Sequence, residues 1–368
     1  MKIPVCKPVI SKTEEKYVLE CLRTNWISSM GRFIGDFEDS FAGYCSRKYG
    51  IATTSGTTAL HLALESLGLK EGDEVILPTF TMIAPAFAVC YCRAKIVPVD
   101  ICPDTYNIDF RKIEEKVTLR TKAIMVVHIY GHPCDMGPIL KVANKHNLFL
   151  IEDAAEAHGA EYRGRRVGSF GDVSCFSFYA NKIITSGEGG MVLTNNKRIA
   201  MRARYLKNLA FSKTRFFHRE LGYNYRMSNI LAAIGLAQLE KINKYISARR
   251  RNAFLYSRGL KDIEGLQLPV EKEYARNVYW MYGIVLQDEF GPKRESFMKK
   301  LKDRGIETRA FFVPMHKQPV FKKMGYSFND KFPVADYISS RGLYLPSGNG
   351  LTERQISYII DTIRRIKE

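Results

Sequence analysis

Residues 148–153, LFLIED, and residues 173–182, VSCFSFYANK, decide the fold of this chain. Each begins with a mainly apolar run, which is typical of a strand covered on both faces of a parallel sheet. The first run ends in Glu152 and Asp153, and the second leads to Lys182. Ligands bind beyond the carboxyl ends of such strands, so we expect these side chains at the ligand edge of the sheet. Taken alone, the acid could equally be a helix cap and the lysine a solvated surface group.

Two further segments give these residues their chemical context. Glycines at 187, 189 and 190 follow Lys182 closely, and glycine lets the backbone approach a ligand. Ser55-Gly56-Thr57 opens a predicted helix, whose free N–H groups and dipole favour a phosphate. A phosphate cradle, an acid and a lysine on loops of one sheet fit pyridoxal phosphate. That cofactor needs an imine-forming lysine and a carboxylate facing its pyridinium nitrogen.

Strands and helices alternate on both sides of these segments, which predicts a mostly parallel sheet flanked by helices. The pattern changes after a long predicted helix at 229–248, which could connect two domains. We therefore predict a large α/β domain over residues 1–245 and a smaller C-terminal α/β domain over 246–368. The predicted strands of the large domain are 74–77, 95–99, 123–130, 148–151, 173–179 and 190–194. Those of the small domain are 277–286 and 308–313.

Composition narrows the function classes for this chain of 368 residues. Its formal net charge is +18, which suits either an ordinary basic surface or a diphosphate substrate. No RNA-binding motif, zinc finger or long basic run supports nucleic-acid binding. The eight cysteines form no pair of CxxC units, so we predict reduced thiols and no metal site. No apolar run suggests a signal peptide or a membrane span, and we expect a cytoplasmic protein.

Six motifs in order resemble the DegT/DnrJ/StrS-type sugar aminotransferases. The resemblance extends from about residue 4 to residue 365 and implies the type I pyridoxal-phosphate aminotransferase fold. The motifs are TSGTTALH (54–61), PTFT (78–81), EDAAEAHG (152–159), FSFYANK (176–182), TSGEGG (185–190) and GYNYRM (222–227).

The resemblance implies a role for each matching position. Lys182 would carry the cofactor and act as the catalytic base, and Asp153 would keep the pyridine nitrogen protonated. Asn224 would reach the phosphate bound in the second subunit, which makes the active unit a homodimer with shared sites. The implied cofactor-binding residues are Gly56, Thr57, Met82, Asp153, Glu156, Ser177, Lys182 and Asn224.

The chain departs from the family pattern at two of these motifs. Met82 stands where an aromatic residue often stacks on the cofactor ring, and a thioether can also pack on an aromatic face. Ser55 stands where asparagine is common. Some relatives carry histidine in place of the lysine and are dehydratases; Lys182 argues for amination here.

Within the family, WISS (26–29), HIYGHPCDM (128–136) and the pair Asn181-Lys182 are most similar to one group of enzymes. Those members aminate a GDP-linked 4-keto-6-deoxymannose at C4, with glutamate as the amino donor. The same reaction on a dTDP- or UDP-linked sugar stays open, as does a basic regulatory protein on this fold. Candidate substrate residues are Trp26, His316 and Arg309, although the arginine could equally pair at the surface. We expect His128, His132 and His158 to be packing or supporting residues.

Overall fold

The computed structural model describes residues 2–214 and 216–367, and this part of the chain contains twelve α-helices. Their bounds place most of them between the strands of an alternating α/β chain. The helices are α1 (Lys12–Arg23), α2 (Arg32–Tyr44), α3 (Gly56–Leu67), α4 (Ala84–Tyr91), α5 (Met136–Lys145), α6 (Lys197–Lys207), α7 (Asn229–Leu239), α8 (Ile242–Leu260), α9 (Arg294–Asp303), α10 (Pro319–Lys323), α11 (Pro333–Arg341) and α12 (Glu353–Lys367).

The described chain also contains fourteen strands, seven of which build the main sheet. The strands are β1 (Tyr49–Thr53), β2 (Glu74–Pro78), β3 (Lys95–Val99), β4 (Thr121–Val127), β5 (Phe149–Asp153), β6 (Glu161–Tyr162), β7 (Arg165–Arg166), β8 (Val173–Ser177), β9 (Gly190–Thr194), β10 (Leu266–Gln267), β11 (Ala275–Arg276), β12 (Tyr282–Leu286), β13 (Arg309–Ala310) and β14 (Gly342–Leu345).

The main sheet has the order β1-β9-β8-β5-β4-β2-β3. The pairs among β3, β2, β4, β5 and β8 are parallel, whereas β9 runs antiparallel to both β8 and β1. The predicted mostly parallel sheet is thus confirmed. Its central strands are buried along nearly their whole length because helices cover both faces. This packing explains the near-continuous apolar runs in the sequence.

Smaller elements occupy the C-terminal third of the chain. A four-stranded antiparallel sheet, β10-β12-β14-β13, packs with α8, α9 and α12 around its own apolar cluster. The prediction of a smaller C-terminal α/β unit agrees with this arrangement. Residue 245, the predicted domain boundary, lies inside α8, and the division at that residue stays a prediction.

The sequence prediction was wrong about several element bounds. The single helix predicted at 229–248 is two helices, because the backbone turns at Glu240 and Lys241 between α7 and α8. The strand predicted at 123–130 ends at Val127, since Tyr130 adopts a left-handed conformation with φ of 52°. The strand predicted at 277–286 begins only at Tyr282.

Two further observations concern the cysteines and the helices. All eight cysteines are free thiols, and five of them are buried. None of the helices in residues 2–214 and 216–367 is long and apolar enough to cross a membrane.

Candidate active site

Strand alternation separates two neighbouring acids at the end of β5. Successive side chains of a strand point to opposite faces of the sheet, so Glu152 and Asp153 face different surroundings. Asp153 lies on the side of Lys182, whose positive charge acts on it. Glu152 instead accepts N–H groups of Gly168, Phe170 and Gly171, each at 2.7 Å. The structure therefore brings only Asp153 toward the predicted lysine.

Lys182 is buried between a carboxylate and an aromatic ring. Its Nζ lies 3.9 Å from Glu156 Oε1 and 3.7 Å from the centroid of the Trp280 ring. Burial lowers the pKa of Lys182, and the charges of Glu156 and Asp153 only partly oppose this effect. Desolvation disfavours the ammonium form, which favours the neutral amine that imine formation and proton transfer require.

Asp153 is a buried carboxylate with few compensating contacts. Its Oδ1 accepts the N–H of Ala155 at 3.0 Å. Burial raises the pKa of Asp153, against the lowering effects of that hydrogen bond and of the Lys182 charge. A cation next to this carboxylate would favour its ionised form.

Glu156 connects the lysine to the turn after β4. Its Oε2 accepts the N–H of Tyr130 at 2.8 Å, and its Oε1 faces Lys182. Burial raises the pKa of Glu156, and the charge of Lys182 opposes this rise. The left-handed conformation of Tyr130 aims its amide at Glu156 at the end of the parallel strand. Backbone conformation thereby fixes the position of this carboxyl.

The start of α3 lies against the end of β8. A Cβ at Gly56 would lie 2.7 Å from the Ser177 Cβ, so only glycine fits there without displacement. Ser55 caps the helix by accepting the Thr58 N–H at 3.2 Å. The first intrahelical hydrogen bond joins the Ala59 N–H to Ser55, which leaves the amides of Gly56 and Thr57 at the open end of the helix. Such an end binds phosphate.

Residues of the C-terminal part hold the loop that carries Lys182, and the sequence analysis missed them. The Trp280 Nε1–H donates to the Asn181 carbonyl at 2.9 Å, and Asn349 Nδ2 donates to the Ile183 carbonyl at 2.9 Å. The fully buried Arg249 donates to the carbonyls of Asn181 and Trp280. Trp280 is one of only two tryptophans in the chain, which was the only signal available.

The remaining predicted cofactor residues, Met82 and Asn224, are both exposed in the single chain. Met82 follows β2, and its sulfur accepts the Ala84 N–H at 3.0 Å. The Oδ1 of Asn224 accepts two N–H groups of Arg226, at 3.0 and 2.9 Å. These contacts hold the exposed Asn224 side chain against Arg226, while Lys182, Asp153 and Glu156 form one cluster.

The predicted substrate residues have different neighbours. His316 Nδ1 lies 2.7 Å from the Thr79 hydroxyl just after β2, and its Nε2 lies 2.9 Å from Asp336. Arg309 pairs with Glu307 at 2.7 Å and lines an open groove of about 1420 Å³. Trp26 is exposed, and its carbonyl accepts Asn229 Nδ2 at 2.7 Å. Contacts in the single chain thus connect His316 with the main sheet and leave Arg309 and Trp26 at the surface.

The three histidines that we predicted to be packing or supporting residues are buried. His128 Nε2 lies 3.2 Å from Glu152, and its Nδ1 accepts the Cys134 N–H at 3.0 Å. His158 packs against the rings of Phe41, Phe176 and Phe178. Burial lowers the pKa of His132 to about 4 and that of His158 to about 3. These two rings are therefore neutral near pH 7.

The cluster fits pyridoxal phosphate on structural grounds. Lys182 offers an amine with a lowered pKa, and Asp153 offers a buried carboxylate that forms no close ion pair with any described residue. At the start of α3, where Gly56 packs closely against Ser177, the amides of Gly56 and Thr57 have no partner within the helix and can bind a phosphate. These are the three functions that the cofactor requires of a protein.

Comparisons with known proteins agree with this assignment. The model of the DegT/DnrJ/EryC1/StrS aminotransferase family matches residues 8–364. The chain is 46% identical to the GDP-perosamine synthase of Caulobacter vibrioides, over 99% of this chain and 98% of that protein. It is 44% identical to the GDP-perosamine synthase of Escherichia coli O157:H7, over 98% and 97%.

A solved structure shows the same architecture with the cofactor. The sugar aminotransferase fold of Spr1654 from Streptococcus pneumoniae, in its PLP form, superposes with a TM-score of 0.93 at 25% identity. The match covers 100% of this chain and 99% of that one. The predicted fold, enzyme class and cofactor are confirmed: this is a pyridoxal-phosphate-dependent nucleotide-sugar aminotransferase. The chain belongs to the DegT/DnrJ/EryC1/StrS aminotransferase family.

Proposed function

We propose that this enzyme transfers the amino group of glutamate to C4 of GDP-4-keto-6-deoxymannose and so forms GDP-perosamine. The observation that carries the proposal is the near-full-length identity of 46% and 44% to two enzymes named for that product. The net charge of +18 supports an anionic substrate, because a basic surface attracts a nucleotide diphosphate by long-range electrostatics.

Lys182 is the residue that we propose for carrying the cofactor and moving protons. When bound, pyridoxal phosphate supplies an electron sink for the negative charge that develops at the reacting carbon. Lys182 Nζ would take the proton from that carbon of the substrate and deliver it to the acceptor carbon of the cofactor. Burial lowers the pKa of this amine, which lies over the Trp280 ring, and so favours its neutral form. A base with a pKa near the working pH is the most effective for such a transfer.

We assign the remaining cofactor contacts from the same geometry. Asp153 would hold the proton on the pyridine nitrogen, because its buried carboxylate is stabilised by a neighbouring cation. Glu156, fixed by the Tyr130 amide, would bond the ring hydroxyl. Gly56, Thr57 and Ser177 would hold the phosphate at the start of α3. Met82, whose side chain is exposed, would pack against the ring face.

The substrate contacts follow from position and charge. His316, tied to Thr79 at the end of β2, lies next to the sheet edge that carries the chemistry and can contact the sugar. The Arg309 guanidinium pairs with one carboxylate in the single chain and can exchange that partner for a diphosphate or a carboxylate. Trp26 has an exposed ring that can cover the sugar.

Product analysis with matched nucleotides tests the substrate. The enzyme is incubated with glutamate and with GDP-, dTDP- and UDP-linked 4-keto-6-deoxy sugars in parallel, and the products are identified by mass spectrometry. We expect the aminated product mainly from the GDP-linked sugar, with 2-oxoglutarate released in equal amount. Preferred amination of the dTDP- or UDP-linked sugar would reject the GDP assignment and retain the aminotransferase.

We also propose that the active unit is a homodimer with shared sites, in which Asn224 contacts the phosphate bound by the neighbouring subunit. The exposed, oriented amide of Asn224 supports this arrangement. Inactive Lys182→Ala and Asn224→Ala proteins are mixed under conditions of subunit exchange. In a mixed dimer one of the two composite sites is intact, so part of the activity returns. An active monomer in solution scattering would contradict the proposal.

A further inference from the structure

Three potential metal ligands meet away from the active site, between α3 and the end of α4. His61 and Glu65 are four residues apart on α3 and therefore lie on one face of that helix. Cys92 directly follows α4 and is buried against them. The ligand atoms of these three residues all lie within 4.8 Å of one another. None of the three belongs to the cofactor site.

The imidazole of His61 is oriented in the way that metal-bound histidines are. Its Nδ1 lies 3.0 Å from the Tyr225 hydroxyl, which can accept the Nδ1 proton and leave a lone pair on Nε2. Nε2 is buried, has no hydrogen-bond partner among the described residues, and lies 3.6 Å from Glu65 Oε1. With the proton on Nδ1, the Nε2 lone pair and the Glu65 Oε1 face each other with no hydrogen between them. A cation would satisfy both.

The distances and charges suit a divalent ion. Ligand atoms at about 2.0–2.3 Å from Zn²⁺ are roughly 3.3–3.8 Å apart in a tetrahedron, and the His61–Glu65 separation of 3.6 Å falls in that range. A neutral imidazole, a carboxylate and a thiolate neutralise the charge of the ion. Arg202, whose charge interacts with Glu65, is already paired with Glu220 at 2.6 Å. The Glu65 side chain is 24% exposed, which leaves a path to the site from the surface.

We propose that His61 Nε2, Glu65 and the Cys92 thiolate bind one Zn²⁺ per subunit, with water as the fourth ligand. Binding forms three protein–metal bonds, and the thiol proton of Cys92 is released to solvent. Nitrogen, oxygen and sulfur ligands are the set that Zn²⁺ takes in proteins. This site could not be predicted from sequence spacing, because the Cys92 thiol follows a different helix from His61 and Glu65 and no CxxC unit is present.

The ion would connect three segments of the subunit. It joins α3 to the end of α4, and through the Tyr225 hydrogen bond it fixes the segment that also carries Asn224. The Tyr223 ring closes the same site at 4.8 Å from the His61 ring. We therefore expect the metal to raise the melting temperature of the enzyme.

Metal titration of the untagged holoenzyme tests the site. The protein is freed of metal with a chelator and titrated with Co²⁺, whose visible d–d bands report a tetrahedral site with thiolate ligation. Zn²⁺ is then added to displace Co²⁺, and bound metal is counted by elemental mass spectrometry. We expect one equivalent per subunit and loss of the bands when Zn²⁺ is added.

Variants at neighbouring cysteines provide the control. Cys90→Ala removes a thiol two residues away that contacts Tyr326, and it keeps the Co²⁺ bands. Cys92→Ala and His61→Gln lose them, and Tyr225→Phe weakens binding about tenfold because the imidazole loses its orienting partner. Circular dichroism confirms that each variant is folded. Absence of a stoichiometric Co²⁺ or Zn²⁺ site in the wild type, or unchanged bands in folded Cys92→Ala, would overturn the proposal.

Discussion

Glu152 and Asp153 are adjacent in the sequence, yet they end β5 in two different kinds of environment. Glu152 is surrounded by donors: three backbone N–H groups, His128 and, at 3.6 Å, Arg47. Burial alone would raise its pKa, but the hydrogen bonds and nearby charges outweigh burial, and the pKa of Glu152 is lowered. Asp153 accepts one amide, and burial raises its pKa.

The comparison separates an acid whose hydrogen bonds are satisfied from the acid that we propose to be functional. A buried carboxylate whose hydrogen bonds are all satisfied contributes to the stability of the fold. A buried carboxylate with too few partners is poised for a cation from outside the protein, and such groups cluster at functional sites. Asp153 and Lys182 share this second condition, since burial shifts the pKa of each toward its neutral form.

The largest effect is expected from Lys182→Ala. Removing the amine abolishes cofactor attachment and proton transfer, so turnover falls on the order of 10³-fold or more while the fold is retained. Lys182→Arg keeps the charge but cannot act as a base, and it should be equally inactive. The rate of 2-oxoglutarate formation and the visible absorption of the bound cofactor measure the effect. Substantial activity in either variant would remove Lys182 from the mechanism.

Asp153→Asn is expected to lower kcat on the order of a hundredfold, with a much smaller change in cofactor retention. The amide is nearly isosteric but carries no charge, so the pyridine nitrogen loses its proton more easily. The effect falls on proton transfer and therefore appears in kcat rather than in binding. Steady-state kinetics and dialysis of the cofactor measure the two quantities. Near-normal kcat would make Asp153 a structural acid like its neighbour.

Glu152→Gln is expected to show the opposite pattern. The amide offers one acceptor oxygen where the carboxylate meets three backbone N–H groups, and it leaves His128 and Arg47 without a negative partner. The free energy of unfolding should fall by about 3 kcal/mol, as measured by urea denaturation. The kcat of the folded Glu152→Gln protein should differ less than threefold from that of the wild type, which corresponds to roughly 0.6 kcal/mol in activation free energy. A larger loss of kcat than in Asp153→Asn would reverse the comparison.

Near pH 7 the smallest effect is expected at two buried histidines, His128 and His158. His128 is bonded through both ring nitrogens, whereas His158 packs among phenylalanine rings, where burial lowers its pKa from 6.5 to about 3. In the unfolded chain His158 binds a proton near pH 6.5, but in the folded chain it does so only near pH 3. The contribution of His158 to the free energy of unfolding is therefore fully present above pH 6.5. It decreases as the pH drops, by about 1.4 kcal/mol per pH unit.

In His158→Leu the free energy of unfolding should change less steeply with pH between pH 6 and pH 4, because one proton fewer is taken up on unfolding. Urea denaturation at several pH values measures this slope. His132, whose pKa burial lowers to about 4, keeps contributing in this variant. Replacement of the exposed His218 by Asn provides the matched control for the loss of one histidine. An equal slope in wild type and His158→Leu would show that this ring is not a source of the pH dependence.

Much of the main sheet could be predicted because its signals are local. The strands at 95–99 and 190–194 have the predicted bounds, since apolar runs, glycines and prolines limit them within a few residues. The motifs around Gly56, Asp153 and Lys182 also indicated the family, because each follows a strand of one parallel sheet. The single helix predicted at 229–248 failed because its apolar pattern continues across the turn at Glu240 and Lys241.

By itself the sequence determined the order of the elements, the family and which residue types could bind a cofactor. Tertiary structure alone decided what surrounds each of them. Trp280, Arg249 and Asn349 reach the Lys182 loop from segments about 70 to 170 residues away, and no local pattern encodes those contacts. The same holds for Glu152 and Asp153. Alternation along the strand places them on opposite faces of the sheet. Burial and hydrogen-bond partners then set the pKa of each, and both depend on the whole fold.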